Sequence, residues 1–176
     1  MRELTENLTK YLCDYPPQVG SDPVLARTIV DSLRSAHEKG LAISTGGSLY
    51  VYDGSVWNRL KHRPLISLAA ALDGQFLPND PPKRLNVSIS KAKSVAEMAL
   101  FLPEIMEDDY FDEVPMGVVD VNGFWTVDEW SVDMLDHSPD HRATWGYQFE
   151  IDPEAQPTNW LKFLDSLWRD DKDKED

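Results

Sequence analysis

The sequence predicts an α+β domain, with helices gathered at the N-terminus, small antiparallel sheets after them and a helix to close. Three observations predict it. Apolar residues recur at helical spacing near the start: Leu4, Leu8, Tyr11 and Leu12, then Leu25, Ile29, Leu33 and Ala36. Alternating stretches follow, broken by Gly-Gly, Asp-Gly and Asn-Gly turn signals. Near the end, Trp160, Leu161, Leu164, Leu167 and Trp168 share one side of a last helical stretch.

The elements follow in order. A first helix over about 3–14 stops at Tyr15-Pro16-Pro17. Ser21-Asp22-Pro23 starts a second, with a capping side chain and a proline in the first turn, and Gly40 is expected to end it. LAISTGGSLYVYDGSVWNRL reads as three strands joined by Gly-Gly and Asp-Gly turns. Tyr50 and Tyr52 then face one side, Leu49 and Val51 the other, and Trp57 closes the motif. Residues 64–73 are helical up to Gly74, and QFLPNDPPKRL is a loop. Residues 90–107 form a helix with Val95, Met98, Ala99, Leu102 and Ile105 near one face, and Pro103 kinks or ends it. Residues 116–135 read as short strands around Asn122-Gly123, and Ser138-Pro139-Asp140 as a loop. Tyr147-Gln148-Phe149-Glu150-Ile151 alternates like a strand, ended by Asp152-Pro153. The last helix begins near Pro157-Thr158, and the tail RDDKDKED is charged.

Length and composition narrow the function. The 176 residues, 41% hydrophobic and 27% charged, suit one folded domain with a real core. No apolar run approaches the roughly 20 residues a membrane helix needs, and MRELTENLTKYL is too polar for a signal peptide. The expected place is the cytoplasm, or the host cell if the protein is viral, with no membrane partner. The lone cysteine, Cys13, can form no intrachain disulfide and no zinc site by itself. Its position in the apolar phase of the first helix predicts a buried thiol. The net charge of −14 argues against strong, non-specific DNA binding, because such affinity comes from Lys and Arg neutralising phosphates. The local basic run Arg59, Lys61, His62 and Arg63 is read as a solvated turn.

Catalytic signatures are missing from the sequence. It contains no GxxxxGK[ST] loop, no GxGxxG and no G-x-S-x-G elbow. His137 and His141 are four apart, but Pro139 between them breaks the helix that would aim both at one metal. The acidic bend DDYFDE, with Asp108, Asp109 and Asp112, reads as a solvated loop, since no further ligand pattern follows. Six tryptophans is a high count, and Trp57, Trp160 and Trp168 are expected in the core or an interface. No residue is therefore assigned a catalytic, cofactor-binding or metal-ligating role.

Two stretches carry a resemblance. Val121-Asn122-Gly123-Phe124, His137-Ser138-Pro139-Asp140-His141, Ala143-Thr144-Trp145-Gly146-Tyr147, Ile151-Asp152-Pro153-Glu154-Ala155 and Trp160-Leu161-Lys162-Phe163-Leu164-Asp165 follow one another in the order and spacing of a known pattern. The earlier Leu49-Tyr50-Val51-Tyr52-Asp53-Gly54-Ser55-Val56-Trp57 fits the (Asn/Asp)-Gly-x-x-Trp element of that pattern. Together they resemble the domain that precedes the motor in phage and plasmid primase–helicases of the superfamily 3 type, related to the poxvirus primase–helicase. The resemblance covers about residues 40–170. It departs at Ile151, where Tyr is commoner, and at Gln156-Pro157, where a Cys-Pro pair is often found.

The resemblance implies a non-catalytic role in replication initiation, scaffolding or coupling a helicase motor in the same polypeptide. It marks Asp53, Gly54, Trp57, Asn122, Gly123, His137, Pro139, His141, Asp152 and Pro153 as structural motif residues, with positive-φ turns expected at Asp53-Gly54 and Asn122-Gly123. Trp160, Leu164 and Trp168 are the candidate interface. The organisation implied is an N-terminal helical segment over 1–40, the pre-helicase domain over 41–170, and a charged tail over 171–176 leading to a motor. ATP and Mg²⁺ are expected only in that motor, and contact with replication DNA and any ring assembly only through the full-length protein. The alternative is a stand-alone acidic binding protein such as a DNA mimic, motivated by the net charge. A third reading, a metal-assisted hydrolase using Asp108, Asp109 and Asp112, requires micromolar binding of Mg²⁺ or Mn²⁺.

Overall fold

The structure, a computed structural model, describes residues 2–37, 40–127, 131–152, 154–156, 158–159, 161–163 and 165–166. Its architecture is α+β, with helices and three small antiparallel sheets.

Helices α1 (Arg2–Asp14) and α2 (Asp22–Ser35) come first. Leu8 and Leu12 of α1 are buried beside Leu25, Ala26, Ile29, Val30 and Leu33 of α2. Cys13, expected inside, is exposed. It follows Leu12 by one residue, about 100° around the helix, which carries it off the apolar stripe, and its thiol reaches back to the Thr9 carbonyl at 3.4 Å. Ser21 stands at the N-cap of α2 but makes no side-chain cap, Pro23 occupying the first turn as expected. The helix ends at Ser35, not at Gly40: the His37 amide bonds the Arg34 carbonyl three residues back, at 3.4 Å, and no longer continues the four-residue ladder.

Strands β1 (Ala42–Thr45), β2 (Ser48–Tyr52) and β3 (Trp57–Leu60) form the predicted meander, in order. Gly46 and Gly47, at φ of 53° and 68°, supply the two positive-φ positions of a tight hairpin turn. The sheet is covered on both faces. Leu49 and Val51 enter the main core, while Ile43, Tyr52 and Trp57 form a second, aromatic cluster on the other side.

Helix α3 (His62–Ala70) begins two residues earlier than expected, and Gly74, at φ 77°, ends the turn after it. The proline-rich stretch read as a loop contains a two-stranded ribbon, β4 (Phe76–Leu77) and β5 (Lys83–Arg84). Its strands are too short to show alternation. Helix α4 (Ile89–Leu100), capped by the Ser88 hydroxyl accepting from the Lys91 amide at 3.2 Å, stops before Pro103, which opens a short 3₁₀ turn. Helices α2, α3 and α4 pack on one another around Leu65, Leu68, Leu72, Val95, Ala99 and Leu102. The Ser44 hydroxyl donates to the Leu100 carbonyl at 2.6 Å, and the Glu107 amide to the Ser44 carbonyl at 3.0 Å, so the exit of α4 is tied to β1.

Strands β6 (Gly117–Val119), β7 (Phe124–Val127) and β8 (Val132–Leu135) form the last meander. The Asn122-Gly123 turn differs from expectation, since neither residue has positive φ. The Asp120 carboxylate instead accepts from the amides of Asn122 and Gly123 at 2.8 and 3.0 Å, shaping the turn from its side chain. Gly123 is required for space. A Cβ there would stand 2.3 Å from the Leu135 carbonyl oxygen. Gly123→Ala is expected to cost about 1–3 kcal/mol, read in a urea titration as a lower midpoint with unchanged slope. A midpoint equal to that of the wild type would contradict this close approach.

Residues 147–151, predicted as a strand, form none. The segment runs beside β6 but is tied at single points: the Tyr147 amide donates to the Val119 carbonyl at 2.8 Å and the Ile151 amide to Asp120 Oδ2 at 2.7 Å. Two isolated bonds make no ladder. Residues 158–159, 161–163 and 165–166 are helical, in line with a closing helix. No helix among the described residues is long and apolar enough to cross a membrane.

Candidate functional site

The motif residues converge on the joint between the first and last sheets. Trp57, 1% exposed, is its hub. Its ring lies 5.4 Å from Tyr52 and 5.4 Å from Tyr110, with Phe111 edge-on at 6.2 Å. The Trp57 indole N–H donates to the Pro139 carbonyl at 3.0 Å, and the Trp57 amide to the Ala143 carbonyl at 2.8 Å. The Tyr110 hydroxyl donates to the same Pro139 oxygen at 3.0 Å. The Arg142 amide does so as well, at 3.0 Å. The His-Ser-Pro-Asp-His loop is thus held by one carbonyl that ties β3, the acidic bend and a 3₁₀ turn over Pro139–His141.

Asp53 and Gly54 shape the turn that delivers Trp57. Gly54 sits at φ 106°. Asp53 Oδ1 accepts from the Ser55 amide, the Ser55 hydroxyl and the Val56 amide, each at 2.9 Å, and Oδ2 from Asn58 at 2.6 Å. Burial pushes the Asp53 pKa up, but these donors outweigh it and hold the carboxyl below its ordinary value.

Asp120 is the second knot. It is 1% exposed and accepts four hydrogen bonds: Asn122 and Gly123 amides on Oδ1, the Trp125 indole at 2.8 Å and the Ile151 amide at 2.7 Å on Oδ2. Burial raises its pKa, yet the Ile151 amide, the Trp125 indole and the two turn amides bring it down to about 2. An ionised carboxylate offers about four lone-pair sites, and here each is taken, so Asp120 has no capacity left to act as a base or metal ligand. His137 Nε2 lies 2.8 Å from the Asp120 carbonyl oxygen, which can only accept, so Nε2 carries the proton. His141 stacks on Phe124 at 4.1 Å. Burial lowers its pKa, against a raising effect from Asp140, and His137 lowers it further.

Of the motif residues, Asp53, Gly54, Trp57, Asn122, Gly123, His137, Pro139 and His141 therefore meet in one region. Asp152 lies just beyond, its carboxylate accepting from the Glu154 amide at 2.9 Å. Pro153, and the candidate interface residues Trp160, Leu164 and Trp168, lie outside the described residues. Asp108, Asp109 and Asp112 are exposed in the turn beside Tyr110, and no group of three or more potential metal ligands occurs among the described residues.

Three features escaped the sequence reading. Asp120 was legible as an Asx-type turn signal two residues before Asn122. Tyr110 and Phe111, inside the acidic bend, turn inward onto Trp57 and Tyr50. Trp145, Tyr147 and Phe149 form an exposed aromatic row, with ring centroids 5.5 and 4.8 Å apart and exposures of 59%, 43% and 60%. Beside it opens a groove of about 460 Å³ lined by Asp53, Asn58, Asp120, His137, Tyr147 and Gln148.

The profile of the D5 N-terminal-like family matches residues 29–169. The chain belongs to this family, the pre-helicase domain of primase–helicase proteins. It is thereby a domain of replication proteins, of a family that is non-catalytic in this region. No curated protein matches the chain.

Proposed function

We propose that the chain is a non-catalytic scaffold that couples a helicase motor in the same polypeptide to replication initiation, and that the Trp145–Tyr147–Phe149 row is the face it offers to that motor. The carrying observation is the row itself. Three aromatic rings at alternate positions stay half exposed, while the carboxylates beside them, Asp53 and Asp120, are saturated by internal donors. Trp and Tyr are enriched among the residues that dominate interfaces. In this reading ATP, Mg²⁺ and ring assembly belong to the motor.

The test is calorimetric titration of this domain with the separately produced motor domain. Trp145→Ala with Phe149→Ala is expected to weaken binding more than tenfold while leaving the melting temperature of the domain nearly unchanged. Equal affinity for wild type and variant would remove the row from the interface. Capture of a DNA-binding protein in competition with DNA would favour the acidic-mimic reading, which the net charge of −14 motivates.

A further inference from the structure

Charge is segregated along this chain. Seven of the seventeen Lys and Arg, but only two of the thirty-one Asp and Glu, fall within residues 59–93. That segment carries +5, and the remainder −19. Structurally it is β3's end, α3, the ribbon and the start of α4. Within it the β4–β5 ribbon combines cations with an exposed ring. Phe76 pairs directly with Arg84, so both side chains leave the ribbon on one face. Phe76 is 53% exposed and the Arg84 guanidinium lies 4.9 Å from its ring centroid. Lys83, one residue before Arg84 and paired with Leu77, leaves the ribbon on its other face and is exposed.

The ribbon is anchored. Leu77 and Leu85 are buried, and both approach Gly20. Lys91 Nζ, at the start of α4, donates to the Gly20 carbonyl at 2.6 Å, which places a further cation at the same corner. No acidic side chain is paired with Lys83 or Arg84 among the described residues.

We infer that this ribbon is a single-stranded nucleic-acid contact, with a base stacking on the Phe76–Arg84 pair, one neighbouring phosphate meeting Arg84 and the strand passing over the ribbon's edge to meet Lys83 on its other face. The inference rests on charge and geometry, independently of any docking to a motor. An aromatic ring flanked by cations is the arrangement that binds unpaired strands with little sequence preference. A duplex fits less well. It brings one negative charge per ~1.7 Å of axis against a molecule whose remainder is strongly acidic, whereas a single strand can meet the ribbon alone.

Fluorescence anisotropy of the whole chain with a labelled oligothymidylate of about twelve nucleotides, within the span of single-strand sites, tests this at low salt. Binding is expected. Phe76→Ala should weaken it about tenfold, as loss of one stacked base does. Lys83→Glu with Arg84→Glu should weaken it at least tenfold and flatten the salt dependence by roughly one to two phosphate contacts. Lys10→Glu makes the same charge change as Lys83→Glu, on α1 and outside the ribbon, and should have a much smaller effect. Circular dichroism verifies that the exposed ribbon variants stay folded. The inference is overturned if the chain does not bind the oligonucleotide, if the ribbon variants bind as well as wild type, if Lys10→Glu weakens binding as much as they do, or if a duplex of equal length binds as tightly.

Discussion

Replacing Asp120 by alanine is expected to destabilise the chain by about 3–4 kcal/mol, because a stranded buried donor costs roughly 1–3 kcal/mol and several would be stranded at once. Asp120 accepts from three amides and one indole belonging to Asn122, Gly123, Ile151 and Trp125. The loss corresponds to a fall of about 10 °C in melting temperature for a chain of this size. Asp120→Asn should fall between, since its amide keeps one acceptor oxygen and turns an NH₂ group toward donors. Acid supplies an independent readout. The carboxyl titrates near 3.8 when unfolded and at about 2 when folded. Its stabilisation is therefore fully present above the unfolded value and is lost as pH falls through about 2. The stability gap between wild type and Asp120→Ala should be constant from neutral pH to about 4 and shrink below it. A gap that stays flat down to pH ~2 would show that the ionised form is not what holds the turn.

Trp57→Ala is expected to cost about 3–5 kcal/mol, the range for emptying a buried aromatic site. Trp57 is where Tyr52, Tyr110 and Phe111 meet and where the Pro139 loop is fastened. Trp57→Phe separates the two contributions. It keeps most of the ring but removes the indole donor, leaving the Pro139 carbonyl to Tyr110 and Arg142. The expected cost is about 1 kcal/mol for the hydrogen bond, plus a smaller term for lost volume. Urea unfolding measures both. If neither variant lowers the midpoint appreciably, the aromatic cluster is not what joins the two sheets.

Much of this could be read from residue order. Helical spacing found α1, α2 and α4, because an apolar stripe on a helix is a local property. The two hairpins were legible from Gly-Gly and Asp-Gly, since positive φ selects glycine. Where tertiary partners decide, the signal faded. Tyr147 to Ile151 alternates as a strand does, but β6 and Asp120 meet it at isolated points, and no residue pattern reports that. Cys13 differs from its buried neighbour Leu12 by one step of the helix, and only the packing partner fixes where the stripe ends. Tyr110 and Phe111 lie among five carboxylates within residues 107–113, so their burial against Trp57 is set by a hairpin some fifty residues earlier. The motif residues were recognisable as a set, while the carboxylate that binds their region together, Asp120, stood only at its border.

The distribution of burial has a consequence for how the molecule fails. Nearly all of the buried apolar side chains lie at or before Ile105, and beyond it only Val119 and Phe124 join them among the described residues. The first part is thus held chiefly by the exclusion of water, and the last sheet chiefly by the bonds at Asp120 and Pro139. Those two kinds of cohesion follow different laws. Water exclusion weakens on cooling, while a carboxylate knot is undone by protons. Cold therefore loosens the helices first and acid the last sheet, so the two ends of one chain have separate weak seasons.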